Sequence, residues 1–184
     1  CCAGNVETSQ WITDTLFGAL GVMAAAQGTM NNVSYGNAHF QNYETICGGS
    51  GAGPDFDGTA AVHTHMTNSR LTDPELLEYR FPVTLAHHRI NRGSGGEGRH
   101  PGGDGTIRKL VFHEPVDAVV LANRRVVPPF GLEGGAPGAL GRQWIERADG
   151  TVAPMGGRDQ RALEPGDALV VQTPAGGGYG EASG

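Results

Sequence analysis

The sequence predicts an α+β domain: an N-terminal helix packed on predominantly antiparallel β-structure that ends in C-terminal hairpins. Three observations predict it. Apolar residues recur at helical spacing over residues 9–27, short segments rich in Val, Ile, Thr and aromatics follow Asn31-Asn32, and two turn signatures punctuate the last third. Residues 1–184 are read as a single domain.

In the helix, Ile12, Leu16, Leu20 and Met23 fall on one face, with Thr8 or Ser9 as N-cap and Gly28 as the stop. Gly18, Gly21 and the alanines at 24–26 leave a bare flank, which reads as close packing against another backbone. Strands are predicted at residues 33–40, 43–47, 60–65, 82–91, 106–113 and 118–127. Thr72-Asp73-Pro74-Glu75 reads as a helix start, with a capping residue, proline in the first turn and an acid near the positive end of the dipole. Pro82 keeps that helix short. Hairpins are expected where residues 143–148 and 151–155 flank Asp149-Gly150, and where 161–164 and 168–173 flank Pro165-Gly166-Asp167. Residues 174–180 read as an extended, flexible or tightly folded glycine-rich tail.

Glycine takes the place of side chains in this chain. It supplies 31 of 184 residues, more than twice the usual ~7% share, with no three-residue period that would mark collagen. A formal charge of −6 is the wrong sign for a protein whose main partner is a phosphate backbone, so no nucleic-acid partner is expected. The longest apolar stretch, residues 16–26, is far short of a membrane span and is broken by Gly18 and Gly21. Cys1, Cys2 and Cys47 cannot build a disulfide framework and fit a reducing cytoplasm. Because the chain opens on Cys1 just ahead of a helix, it reads as a piece of a longer one.

The densest polar cluster holds Asp55, Asp57, His63, His65, Asn68 and Asp73. On a strand, His63 and His65 would share a face. They read in one of three ways: as hydrogen-bond partners of loop backbone, as ligands of a divalent metal completed by Asp55, Asp57, Asp73 or Glu44, or as contacts to a non-metal substrate. Glu44, inside a β-type run, is costly to bury unless it is paired or used. The glycine-rich stretches 48–53 and 93–105 lack the lysine and hydroxyl of a P-loop and read as tight turns. Arg99, Arg108, Arg124 and Arg125 form either a solvated face or contacts to a carboxylate or phosphate. Cys47, without an adjacent base in sequence, reads as a buried inert thiol. The site bet falls on Glu44, His63, His65, Asn68 and Asp73, polar groups spaced closely enough between glycine-rich turns to converge on a small polar substrate.

Several segments resemble, in order and over nearly the whole chain, the C-terminal part of the B-type half of the hydantoinase/5-oxoprolinase family. They are Gly4-Asn5-Val6-Glu7-Thr8-Ser9-Gln10, Gln27-Gly28-Thr29-Met30-Asn31-Asn32, Tyr43-Glu44-Thr45, Val62-His63-Thr64-His65-Met66-Thr67-Asn68, Arg92-Gly93-Ser94-Gly95-Gly96, Gly102-Gly103-Asp104-Gly105, Gly131-Leu132-Glu133-Gly134-Gly135 and Gly178-Tyr179-Gly180. Thr72-Asp73-Pro74-Glu75 and Gly36-Asn37-Ala38-His39 are closer to the 5-oxoprolinase branch than to the N-methylhydantoinase branch. The resemblance implies ATP-dependent opening of a five-membered lactam, in which the amide oxygen is phosphorylated and water attacks the activated carbonyl. It also implies that ATP binds the A-type half, and that the His and Asp metal-ligand motif lies nearer the N-terminus of the B-type half. ATP and a divalent metal are thus both expected mainly outside this chain, which would be inactive alone. The expected partners are the A-type half, the rest of the B-type half and a small cyclic amide, in a homo-oligomer. A hydantoin-cleaving subunit and a purely structural assembly domain are the alternatives.

Overall fold

The computed structural model describes residues 3–182, with side chains of the first helix from Glu7 onward. Cys1 and Cys2 lie outside the described residues, and Cys47 is free and buried.

Helix α1 spans Ala3–Ala19, ending well before the expected residue 27. Gly21, at φ +68°, closes it, with the Val22 N–H bonded to Phe17 O (2.9 Å) and the Gly21 N–H to Gly18 O (3.1 Å). This is the paired bonding of a Schellman stop. Beyond it, residues 24–30 run as buried extended chain, and the N–H groups of Ala24, Ala25 and Ala26 bond to Ala52 O, Phe130 O and the Asp14 carboxylate instead of continuing the helix. The bare flank is approached at Gly18 by a side chain and not by another backbone, a Cβ there meeting the Phe130 ring at 2.7 Å, and at Gly21 nothing lies within 4 Å of an added Cβ. The expected core face, however, points outward. Ile12 and Leu16 are each 55% exposed and Leu20 73%, while Glu7, Gln10 and Asp14 are buried.

Nine strands form two antiparallel sheets. The first orders β2 (Gln41–Thr45), β1 (Asn32–Gly36), β5 (Val116–Leu121) and β8 (Arg158–Leu163). The second orders β3 (Val83–Ile90), β4 (Thr106–Phe112), β9 (Ala168–Gln172), β6 (Arg142–Glu146) and β7 (Val152–Met155). Strict burial alternation along β4 and β5 sends Leu110, Phe112, Ala118 and Val120 into one core with Val33, Tyr35, Ile145 and Leu169. Helix α2 (Pro74–Arg80) is capped by the Asp73 carboxylate, which accepts from the Glu75 N–H at 3.0 Å, and Leu77 anchors it in the core.

Two strand expectations are corrected. Residues 60–65 carry only an isolated bridge between Val62 and Gly48, and Ala61 and His65 adopt left-handed φ values of +54° and +53°, so His63 and His65 do not alternate as on a strand. The turn at 165–167 forms, but β8 pairs with β5 and β9 with β4 and β6, so it carries the chain between sheets. The Asp167 carboxylate fixes this turn by accepting from the Glu164 N–H (2.9 Å), the Ala148 N–H (2.9 Å) and Arg147 (2.7 Å). Burial alone would raise its pKa, and these bonds outweigh it and hold the carboxyl below its ordinary value. A depressed native pKa means that the contribution is full above about pH 4 and is lost as the pH falls through the native value. Asp167→Asn is therefore expected to lower stability by about 1–3 kcal/mol at neutral pH. It should also flatten the acid limb of melting temperature against pH; an unchanged limb would refute this.

Between sheets and helix, the glycine-rich stretches make tight turns at 92–93 and 133–134 but are for the most part packed against one another, and the tail at 174–180 is folded in and largely buried. Residues 24–28, 48–53, 94–105, 130–138 and 174–180 are extended segments stacked backbone on backbone. They are tied by bonds such as Gly177 N–H to Ala25 O (2.8 Å), Ala52 N–H to Gly177 O (3.0 Å), Gly176 N–H to Gly103 O (2.8 Å) and Gly103 N–H to Ser50 O (2.9 Å). A Cβ on Gly49 would run into the Gly103 carbonyl and come within 2.7 Å of Gly176 N. Only hydrogen fits there.

Candidate functional site

The sequence-predicted residues separate into two regions. Glu44 on β2 faces Arg108 on β4 in a bidentate pair (2.8 and 3.0 Å), each side chain 2% exposed. The pair joins one sheet to the other through the core, and so meets the condition for burying Glu44. Arg108 also lines a cavity of about 600 Å³ with Asp73, His87 and His88. Asp73 already caps α2, and Asn68 is exposed.

His65 lies under α1. Its Nε2 is 2.7 Å from Asp14 Oδ1, and its ring meets Phe17 edge-on at 5.7 Å. Gln10, one turn earlier, donates to Thr64 O (3.0 Å) and Thr67 Oγ1 (2.8 Å) and clamps the same loop. Partial burial lowers the pKa of His63, leaving the ring neutral at neutral pH, and its Nδ1 is buried with no hydrogen-bond partner among the described residues. Burial pushes the Cys47 thiol up, away from a reactive thiolate.

A second group of polar residues, mostly unnoticed in the sequence, lines a cavity of about 830 Å³ between α1 and the segment after β5. Glu7, Trp11, Asn123, Arg124, Arg125 and Arg158 form its polar and aromatic wall, with Val126 and Val127 beside them. Glu7 Oε1 accepts from Thr29 Oγ1 (3.1 Å), the Met30 N–H (2.9 Å) and Asn32 Nδ2 (3.2 Å), and its Oε2 accepts from Asn123 Nδ2 (2.7 Å). Arg125 donates through Nε to Gln143 (2.8 Å) and through Nη1 to Asn31 Oδ1 (2.8 Å) and Asn123 O (2.7 Å). Burial lowers its pKa to about 10, still charged at neutral pH, with Glu7 opposing the shift. Arg124 lies over Trp11, 6.0 Å from its ring, with Nη2 3.7 Å from Asp14 Oδ2, which links the cavity wall to His65.

The wall is short of acceptors. Arg124 Nε and Arg125 Nη2 are buried donors with no hydrogen-bond partner among the described residues. Three guanidinium groups line the cavity with one carboxylate, Glu7, while Asp14 meets Arg124 from behind the wall in a chain of net charge −6. Asn31, His65 and Arg124 all hold left-handed φ values (+46°, +53° and +59°), a costly backbone state for non-glycine residues. Of the arginines considered in the sequence, Arg108, Arg124 and Arg125 thus form no solvated face. Chemically, this wall suits an anion: a guanidinium fork matches a carboxylate or phosphate oxygen pair. The sequence signal was the stripe Glu7, Gln10, Asp14, polar at i, i+3 and i+7 on one helix face, together with adjacent Arg124-Arg125.

A nucleotide phosphate does not fit the glycine-rich segments, because their N–H groups are engaged: Gly49 to Pro174 O, Ser50 to Thr59 O, Gly96 to Gly176 O and Gly102 to Gly96 O. A metal ion fares no better: among the described residues no three His, Cys, Asp or Glu side chains are grouped to hold one. No described helix is long and apolar enough to cross a membrane.

Comparison with known proteins gives a consistent set of likenesses. The family model described as hydantoinase B/oxoprolinase matches residues 1–182. 5-Oxoprolinase 1 of Arabidopsis thaliana is 45% identical over 177 residues, 96% of this chain and 14% of that protein. 5-Oxoprolinase of Dictyostelium discoideum is 40% identical over 178 residues, 97% of this chain and 14% of that protein. Among solved structures, the ATP-dependent caprolactamase from Pseudomonas jessenii superposes with a TM-score of 0.73 at 25% identity, over 87% of this chain and 30% of that one. The chain thus spans a minor part of each protein it matches.

Proposed function

Because the chain belongs to the hydantoinase B/oxoprolinase family, we propose that it is the C-terminal domain of an ATP-dependent 5-oxoprolinase, which opens 5-oxoproline to glutamate. The identity of 40–45% to proteins named 5-oxoprolinase supports the substrate class. The observation in the structure that carries the reading is the arginine-walled cavity. 5-Oxoproline is a small lactam ring bearing a carboxylate, and the cavity sets Trp11, Val126 and Val127 beside Arg124, Arg125 and Arg158. The guanidinium groups grip the carboxylate and the apolar wall takes the ring. His65, held by Asp14, is a positioning residue that fixes Arg124 through the shared aspartate.

In this reading ATP and a divalent metal bind outside the chain, on the A-type half and on the rest of the B-type half. Those two parts are its partners in a cytoplasmic homo-oligomer, and the chain alone is inactive.

The test is ATP-dependent release of phosphate and glutamate by the full-length assembly. Arg158 is exposed at the cavity wall, and among the described residues no hydrogen bond or ion pair engages its side chain. Arg158→Ala is expected to raise KM for 5-oxoproline about tenfold, the scale of one lost charge-assisted hydrogen bond. Turnover of 2-pyrrolidinone, the same ring without a carboxylate, should not change. An unchanged KM removes the cavity from substrate binding. No hydrolysis of 5-oxoproline by the folded, unsubstituted assembly overturns the 5-oxoprolinase reading, and turnover of hydantoins in its place would favour the hydantoin-cleaving alternative.

A further inference from the structure

Helix α1 is inverted relative to an ordinary surface helix. From Glu7 onward its only charged residues are Glu7 and Asp14, and both are buried. Its outward side carries Trp11 (46% exposed), Ile12 (55%) and Leu16 (55%), with Thr8, Thr15 and Ala19 also exposed, and Leu20 (73%) and Val22 (44%) follow in the turn that ends it. Ile12, Leu16 and Leu20 stand four residues apart, which makes them one continuous ridge of the kind that seats in a groove of another element. The apolar surface continues across the cavity mouth, which Trp11 and Thr15 share with Val126 (85% exposed) and Val127 (64%).

An exposed face of this kind, with no charge on a helix of 17 residues, marks a surface that another protein surface covers. A membrane surface is a poor occupant, because helices that lie on lipid carry Lys and Arg on their polar side and α1 has neither. The occupant must bring apolar side chains and no unpaired charge. The relatives say where it comes from: the matched region is 14% of the two 5-oxoprolinases and 30% of the caprolactamase chain, so most of each polypeptide lies outside it.

We propose that the ridge Ile12, Leu16 and Leu20, with Val126 and Val127, is the docking surface for the remainder of the same B-type polypeptide, which closes over the mouth of the arginine-walled cavity. The inference rests on the reading of this chain as one domain of a longer B-type polypeptide, and it gives that partner a surface. The cavity becomes enclosed only when the two parts meet.

The test is thiol labelling of the full-length polypeptide with a maleimide, the unsubstituted protein supplying the background from its own cysteines. Tyr79→Cys, at a position 88% exposed on α2, is the reference for an open surface. Leu16→Cys is expected to label at least tenfold more slowly than Tyr79→Cys. Leu20→Cys, beyond the end of α1, is a second probe should Leu16→Cys fail to fold, with the same protection expected. Equal rates overturn the proposal. Protection confined to an oligomeric fraction and lost on dilution assigns the ridge to a second copy, and also overturns it. Labelling is read without turnover, so a failure of the 5-oxoprolinase reading leaves this result independent.

Discussion

Gly49→Ala is expected to cost about 3 kcal/mol or more, at or beyond the upper end of what overpacking usually does. The new methyl would be driven against the Gly103 carbonyl and Gly176 N, backbone atoms hydrogen-bonded to each other at 2.8 Å. A flexible side chain could swing aside, but these two cannot part without breaking that bond and straining the neighbouring bonds of Gly103 N–H to Ser50 O and Gly96 N–H to Gly176 O. For a domain of this size the loss corresponds to a fall in melting temperature of roughly 6–12 °C. Gly93→Ala is the control. Its φ of +77° makes alanine strained, yet nothing lies within 4 Å of the added Cβ, so about 1–2 kcal/mol is expected. Similar losses at the two positions would mean that conformational strain, and not backbone contact, sets the requirement for glycine.

Arg108→Met should be comparably damaging, by about 3–5 kcal/mol, because it strands the Glu44 carboxylate in the core without its bidentate partner. The double variant Glu44→Met with Arg108→Met removes both charges and keeps apolar volume. It is expected to recover most of the loss, since two sheets held by packed side chains need no ion pair between them. Measured alongside turnover of the full-length assembly, it also separates two roles for Glu44. Stability restored with turnover retained is expected of a residue that ties the sheets together; stability restored with turnover abolished would put Glu44 at the substrate.

The sequence was most informative where one local rule acted alone. Composition rich in Val, Ile and Thr marks β4 and β5 because β-branched side chains favour extended backbone wherever they pack, and Asp73-Pro74-Glu75 reports α2 because capping needs no distant partner. It misled where a distant surface decided. The spacing of Ile12, Leu16 and Leu20 is a sound helical signal, but periodicity does not say which side is the inside, and here the polar stripe of Glu7, Gln10 and Asp14 finds buried partners. For residues 60–65, β-type composition yielded to a loop fixed by Gln10 and Asp14 from α1, which no local pattern announces. The turn at 165–167 was legible as a turn, whereas strand partners depend on the whole sheet. The cavity divides in the same way: adjacent Arg124-Arg125 is visible in the sequence, but their missing acceptors appear only once residues 7, 31, 123 and 143 are brought around them.

The stacked glycine segments also order events during synthesis. Residues 174–180 bond to the segments that begin near residues 24, 48, 94 and 130: Gly177 to Ala25, Ala52 to Gly177, Gly176 to Gly103 and Gly178 to Ala136. Until residues 174–180 have been made, the carbonyls of Ala25, Gly103 and Ala136 lack these donors and the Ala52 N–H lacks this acceptor, and bringing such distant stretches together carries the entropy of closing long loops. The earlier segments therefore stay incompletely packed until residues 174–180 dock. A chain stopped before residue 174 would present chaperones with an open stack, which those residues shut.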